Sequence, residues 1–234
     1  MKRMLKKIIL SNKDSDSQPV EGVLSKRVGN IQSIWHNEHQ DDVGLEKILR
    51  LFLAASQFLF PGIYIKQLFG YKGIGYQELA TDLYILIKIA IPFYFLYHQT
   101  TPSALLVGMT IWLMLETVLY IATLVFASDL FDRPRSYRRS LLLVFLDYAQ
   151  IVLAFALLYT TGQHLNQSFQ HWFDPIYFSM VTSATVGYGD FHPITPIGKL
   201  LATSQIAIFF IVVVLLLNYF SHRIERKGYF NTNQ

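Results

Sequence analysis

The chain contains no cysteine. Disulfides and thiolate chemistry are therefore excluded, and redox usage says nothing about its compartment. Charge is sparse. Asp, Glu, Lys and Arg make up 15% of the residues against 52% apolar ones, and the mean hydropathy is +0.32, a balance that does not suit an ordinary water-soluble domain. No internal repeat or low-complexity tract is present. No residue cluster has the spacing of a metal site or of a nucleophile with its base, so no enzyme activity and no cofactor are expected. His164, His171 and His192 read as solvated loop residues rather than a zinc site.

What the chain has instead is long apolar blocks. Residues 79–97, 104–127, 141–161 and 197–220 each have the length of a membrane helix, which predicts an all-α integral membrane protein. A fifth block, 48–69, is interrupted by Arg50, Gln57, Pro61, Gly62, Lys66 and Gln67. Glu46, Lys47, Arg50 and Gln57 lie near one face of the helix it would form, with apolar residues opposite. This block either spans the membrane or lies along the interface. Arg133, Arg135, Arg138 and Arg139 crowd one link, and Arg223, Arg226 and Lys227 follow the last block. Beside membrane helices such clusters set topology and meet anionic lipid heads; no nucleic-acid partner is expected. They place both termini in the cytoplasm and favour four spans plus an interfacial helix. The host would be a plasma membrane or a bacterial inner membrane. Residues 1–47 are expected to be a cytoplasmic, partly ordered segment, 48–130 an accessory membrane domain, 141–221 a separate module and 222–234 a short cytoplasmic tail. Residues 1–10 have the basic part of a signal peptide but lack its apolar core.

The most informative stretch is 182–190, TSATVGYGD. Before it, Asp174 is expected to cap a short apolar helix with its carboxylate, with Pro175 suiting the first turn. At about 1.5 Å per residue this helix is too short to cross a bilayer of about 30 Å. It can enter and return only where protein or a water-filled cavity surrounds it. Gly187 and Gly189 permit backbone angles closed to other residues, so successive carbonyls can face one axis. Span, re-entrant segment and span, ending in Thr185, Val186, Gly187, Tyr188, Gly189 and Asp190, resemble the pore module of tetrameric potassium channels. The resemblance covers about 141–225.

The resemblance implies a pore helix and a selectivity filter. Carbonyls of Thr185, Val186, Gly187 and Tyr188, with the Thr185 hydroxyl, would replace the water of a permeant K+. Tyr177 and Phe178 would pack around Tyr188, and Thr182 would support the filter from the end of the pore helix. One filter strand cannot surround an ion, so a homotetramer is implied. The alternatives are a silent or modulatory subunit assembled with another channel, or a non-selective cation channel. An unidentified regulatory subunit is a further candidate partner. The sequence departs from the familiar pattern at Ala184, where many relatives carry threonine. It departs again in the last span, where no glycine follows Gly198 until Gly228. The inner gate would then depend on Phe209 or Phe210, or on Asn218 and Ser221 near the cytoplasmic end. No block carries the basic repeat of a voltage sensor. Lys88 is expected to face Glu116 or Asp147 inside the subunit. Asn166-Gln167-Ser168 is formally a glycosylation acceptor.

Overall fold

The computed structural model describes residues 22–38, 43–130 and 137–224, the backbone alone at 137 and 218–224. Residues 1–10, Arg133, Arg135, Arg226 and Lys227 lie outside the described residues. The described chain is helical throughout: α1 Val23–His36, α2 Gly44–Ser56, α3 Pro61–Gly70, α4 Ile74–Tyr97, α5 Ala104–Phe126, α6 Tyr137–Tyr159, α7 Asp174–Ser183 and α8 Pro196–Ile224. Short 3₁₀ turns follow α2 (Gln57–Leu59) and α5 (Ser128–Leu130). Among the described residues the sole β feature is an isolated bridge between Leu165 and Pro193.

Four of these helices, α4, α5, α6 and α8, are long and apolar enough to cross a membrane. They cover the four apolar blocks of the sequence and make this a membrane protein. The fifth block is a broken helix. Gly44–Leu59 and Pro61–Gly70 are bent by 68° at Phe60, whose φ of −119° and ψ of 151° are extended. Proline disfavours the helical region for the residue before it and itself suits a first helical turn, so Pro61 both ends one helix and starts the next.

The chain divides into two compact units, 1–88 with 126–133, and 89–125 with 134–234. The division falls within α4 four residues before Pro92, the proline inside that helix. Proline has no N–H to give the carbonyl of residue 88, which interrupts the helical ladder there. In the first unit, α1 is tied at both ends. Its Leu24 N–H donates to Gln67 Oε1 at 3.2 Å, and Lys47 Nζ donates to the Trp35 carbonyl at 2.9 Å. These bonds serve orphan groups of the helix termini. Ile34, Ala54, Ala127 and Leu130 form the unit's small core. Lys88 belongs to this unit, with Nζ 5.2 Å from the Tyr84 ring centroid. Glu116 and Asp147 belong to the other unit.

The second unit is built on α6, the most buried of the long helices. Val144, Ile151, Ala154, Phe155, Leu158 and Tyr159 of α6 pack with Met114 and Ile121 of α5, Phe178 of α7 and Val212 and Leu215 of α8. This core positions the short helix α7 against the long helices on either side of it in sequence.

Candidate ion-conducting site

Helix α7 has 10 residues, about 15 Å at 1.5 Å per residue, too short to cross a bilayer of about 30 Å. Pro175 sits in its first turn as expected, but Asp174 does not cap it. The N-cap is Phe173, and the Asp174 carboxylate reaches back to accept the N–H groups of Gln170 and His171, both at 2.8 Å. The aspartate is already the first helical residue, so its side chain points toward the preceding turn and fixes the entry loop.

The middle of α7 is held by a buried polar network. Ser179 Oγ donates to the Val152 carbonyl of α6 at 2.7 Å. Gln205 Nε2 of α8 lies 2.8 Å from the Ser179 carbonyl and 2.7 Å from Ser179 Oγ. The Tyr159 hydroxyl donates to Gln205 Oε1 at 2.9 Å. One glutamine thus joins three helices in the core, where such a group needs its partners. Sequence reasoning missed Ser179, Gln205 and Tyr159. The available signal was a lone glutamine in an apolar span. At the end of α7, Ser183 Oγ lies 2.9 Å from the Tyr148 hydroxyl.

Beyond Ser183 the backbone alternates. Thr185, Gly187 and Gly189 have φ of 56°, 56° and 85°, left-handed conformations at every second residue. Alternating handedness turns successive peptide groups so that neighbouring carbonyls can share a direction, as the sequence predicts for two glycines. Thr185 adopts the same conformation without being glycine. The strand begins against the helix end, where Thr185 N–H donates to the Thr182 carbonyl at 3.1 Å and Val186 N–H to the Val181 carbonyl at 3.0 Å. A Cβ at Gly187 or Gly189 would meet nothing within 4 Å. Within one chain the demand for glycine at these two positions is conformational.

The aromatic supports divide. The Tyr177 and Tyr188 rings are parallel within 2°, with centroids 6.5 Å apart, though Tyr188 remains 72% exposed in the single chain. Within one chain Phe178 packs on other rings, Tyr159 at 4.7 Å and Phe191 at 6.2 Å, because consecutive residues of a helix face different directions. Asp190 lies near the Tyr177 phenol. Desolvation first, then the neighbouring Asp190, hold the Tyr177 phenol above its ordinary value.

The outer loops lock the strand's far end. The Asp190 carbonyl accepts Asn166 Nδ2 at 2.9 Å and Gln167 Nε2 at 3.1 Å. Asn166 Oδ1 accepts the His192 N–H at 2.8 Å. The Asn166 amide is thus engaged in structure at the formal glycosylation motif. His164 Nδ1 lies 3.0 Å from Thr195 Oγ1, and His192 Nδ1 3.3 Å from the Gly189 carbonyl. His192 is exposed, as expected for a loop histidine, and His164 is half-buried; both also tie loops. Gly198 lets α8 start against this loop, since a Cβ there would sit 2.7 Å from the His164 carbonyl oxygen.

In α8, Phe209 packs toward α6, 6.0 Å from the Tyr148 ring. Phe210 is 57% exposed and lies in a row with Thr203, Ala207, Val214 and Leu217, all exposed in the single chain. The two gate candidates are thus on different faces. The side chains of Asn218 and Ser221 lie outside the described residues.

A short helix between two helices of membrane length, followed by a segment of alternating handedness, resembles the pore module of ion channels. Residues 141–226 match the family described as Ion channel. A voltage-gated potassium channel of Aeropyrum pernix is 33% identical over 73 residues, covering 31% of this chain and 25% of that relative's length. No solved structure matches the chain.

Proposed function

We propose that the chain is a subunit of a potassium-selective channel, in which four copies place strands 185–189 around one axis. Dehydrated K+ would pass between stacked rings of carbonyls from Thr185, Val186, Gly187 and Tyr188, with Thr185 hydroxyls at the inner end. The observation that carries this reading is the left-handed backbone at Thr185, Gly187 and Gly189 within TVGYGD. It lets carbonyls rather than side chains meet the ion. Further support comes from the similarity of one quarter of a potassium channel to this chain. Conduction is passive and makes no covalent bond.

The test is flux into liposomes holding the purified chain, with a potassium gradient and then a sodium gradient, alongside the mass of the assembly. Potassium flux well above sodium flux from a tetramer is expected. Equal flux would leave a non-selective cation channel. A tetramer without flux would leave a modulatory subunit.

A further inference from the structure

Helix α2 is inside out for a helix in water. Its buried residues are Arg50, Leu53, Ala54 and Ser56, with Lys47 half-buried and Glu46 exposed, so its one arginine faces inward. Its outward row is apolar: Leu45, Ile48, Leu49 and Phe52 along α2, and Leu59 in the following 3₁₀ turn, with exposures of 85% at Leu45 and 69% at Leu59. The row continues into Leu68 and Tyr71 around α3. A soluble protein would show the opposite pattern, and exposed apolar surface of this extent marks contact with another apolar phase.

Chain continuity says which phase. Tyr71, Lys72 and Gly73 connect α3 directly to α4, a membrane-length helix. Two crossings, α4 and α5, return the chain to the membrane face from which it left. The turn that follows, Ser128–Leu130, docks on the buried side of the same helices. Arg50 of α2 pairs with Asp129. Arg27 Nη1 and Asn30 Nδ2 of α1 donate to the Leu130 carbonyl at 2.6 and 3.1 Å. The next helix after this turn is α6, the outer helix of the pore module.

We propose that α2 and its 3₁₀ turn lie in the lipid–water interface with their apolar row in the acyl boundary. Their buried side grips the turn leading to α6, so that the state of the bilayer surface reaches the pore through Arg50 and Asp129. The lipid contact is independent of what the pore conducts; the consequence for the pore rests on the channel reading above.

The native chain has no cysteine, so single labels are unambiguous. Leu45→Cys, Ile48→Cys, Phe52→Cys and Leu59→Cys, each in the full chain in neutral liposomes, would carry a nitroxide. Its collisions with oxygen and with an aqueous nickel chelate report depth. All four labels are expected at a similar shallow depth of about 5–10 Å. Free collision with the nickel chelate, a label near the bilayer midplane, or strong spin–spin broadening between chains would each overturn the lipid assignment. They would indicate water, a broken span and a subunit contact, respectively. The coupling is read by a nitroxide at Ser128→Cys. Adding lysolipid should change its mobility in the parent and not with Asp129→Asn. The exchanged pair Arg50→Asp with Asp129→Arg should recover the response. A parent that ignores lysolipid, or an Asp129→Asn chain that responds like it, would overturn the coupling. Neither reading depends on ion flux, so loss of flux with shallow labels would count against the channel reading alone.

Discussion

Thr185 bears a cost that glycine would not. A residue with a Cβ in the left-handed region loses about 1–2 kcal/mol, and a β-branched one is an outlier there. Its backbone is held by the end of α7, through the bond to the Thr182 carbonyl. Gly187 and Gly189 have no such anchor in the helix, and glycine takes their φ without strain. Gly187→Ala or Gly189→Ala should therefore shift the strand toward right-handed states by roughly five- to thirtyfold, the equivalent of 1–2 kcal/mol. Selectivity should fall, read as a reversal potential in mixed potassium and sodium that moves toward zero discrimination. An unchanged reversal potential in both variants would separate handedness from selectivity. Tyr177 gives a second test, by pH. Its phenol is raised above the ordinary value by desolvation and by Asp190. A raised phenol keeps its proton, so the neutral side chain beside Asp190 is fully retained below the ordinary value of about 10. It is lost only as pH rises through the higher folded value. Current stability should be flat on the external side up to about pH 10 and decline beyond it. Tyr177→Phe should lack that alkaline step. An identical alkaline decline in Tyr177→Phe would assign it to another group. The glycines and the aromatic at 177 were legible in the sequence because the motif fixes their spacing. The conformation of Thr185 was not, because it follows from how the helix end meets the strand.

At the scale of elements, apolar length located all four membrane helices, while their connections depended on pairs far apart in sequence. Ser179 and Gln205 are 26 residues apart, and Arg27 and Leu130 are 103 apart. No local pattern announces such pairs. Helix α1 was read only as a partly ordered polar segment, since the residues that complete its ends, Lys47 and Gln67, lie outside it. The Gln205 network should be sensitive to how much of it is removed. Gln205→Leu keeps the volume near that of the amide but strands the Tyr159 hydroxyl and removes both bonds to Ser179, whose Oγ keeps the Val152 carbonyl. A cost of about 1–3 kcal/mol for each buried group left unsatisfied is expected. Tyr159→Phe removes one hydroxyl and should cost less. Thermal unfolding of the detergent-solubilised assembly would rank them, and equal midpoints would argue that the network adds little. The two phenylalanines of α8 should also separate. Phe209 contacts Tyr148 of α6, so Phe209→Ala should destabilise by about 3–5 kcal/mol where the cavity stays unfilled. Phe210 lies on the bare row of α8. Phe210→Ala should leave assembly intact and raise open probability, if that row narrows the conduction path and sheds water. Intact assemblies of Phe210→Ala with parental open probability would remove the hydrophobic gate.

For the whole molecule, the decisive quantity is how much charge can move through the membrane field. One elementary charge crossing 100 mV is worth about 2.3 kcal/mol, and steep voltage dependence needs several such charges in every subunit. The spans offer little. Each long helix contains a window with at most two acidic or basic residues; α4 carries Glu78, Asp82 and one basic residue, Lys88, and α5 carries Glu116 alone. The guanidinium of Arg50 is buried in α2 and engaged with Asp129, in a helix too short to carry it across the field. The first unit therefore has the makings of a lever on the turn before α6 but not of an electrical sensor. Open probability measured over a wide voltage range, in symmetric potassium without blockers, should change weakly and without saturating. A sigmoid carrying several elementary charges would require a moving charge that these helices do not supply. Neutralising Lys88 as Lys88→Met in the same recording separates the remaining alternatives. If the shallow slope survives, it originates in ion movement through the strand 185–189; if it vanishes, Lys88 itself senses the field.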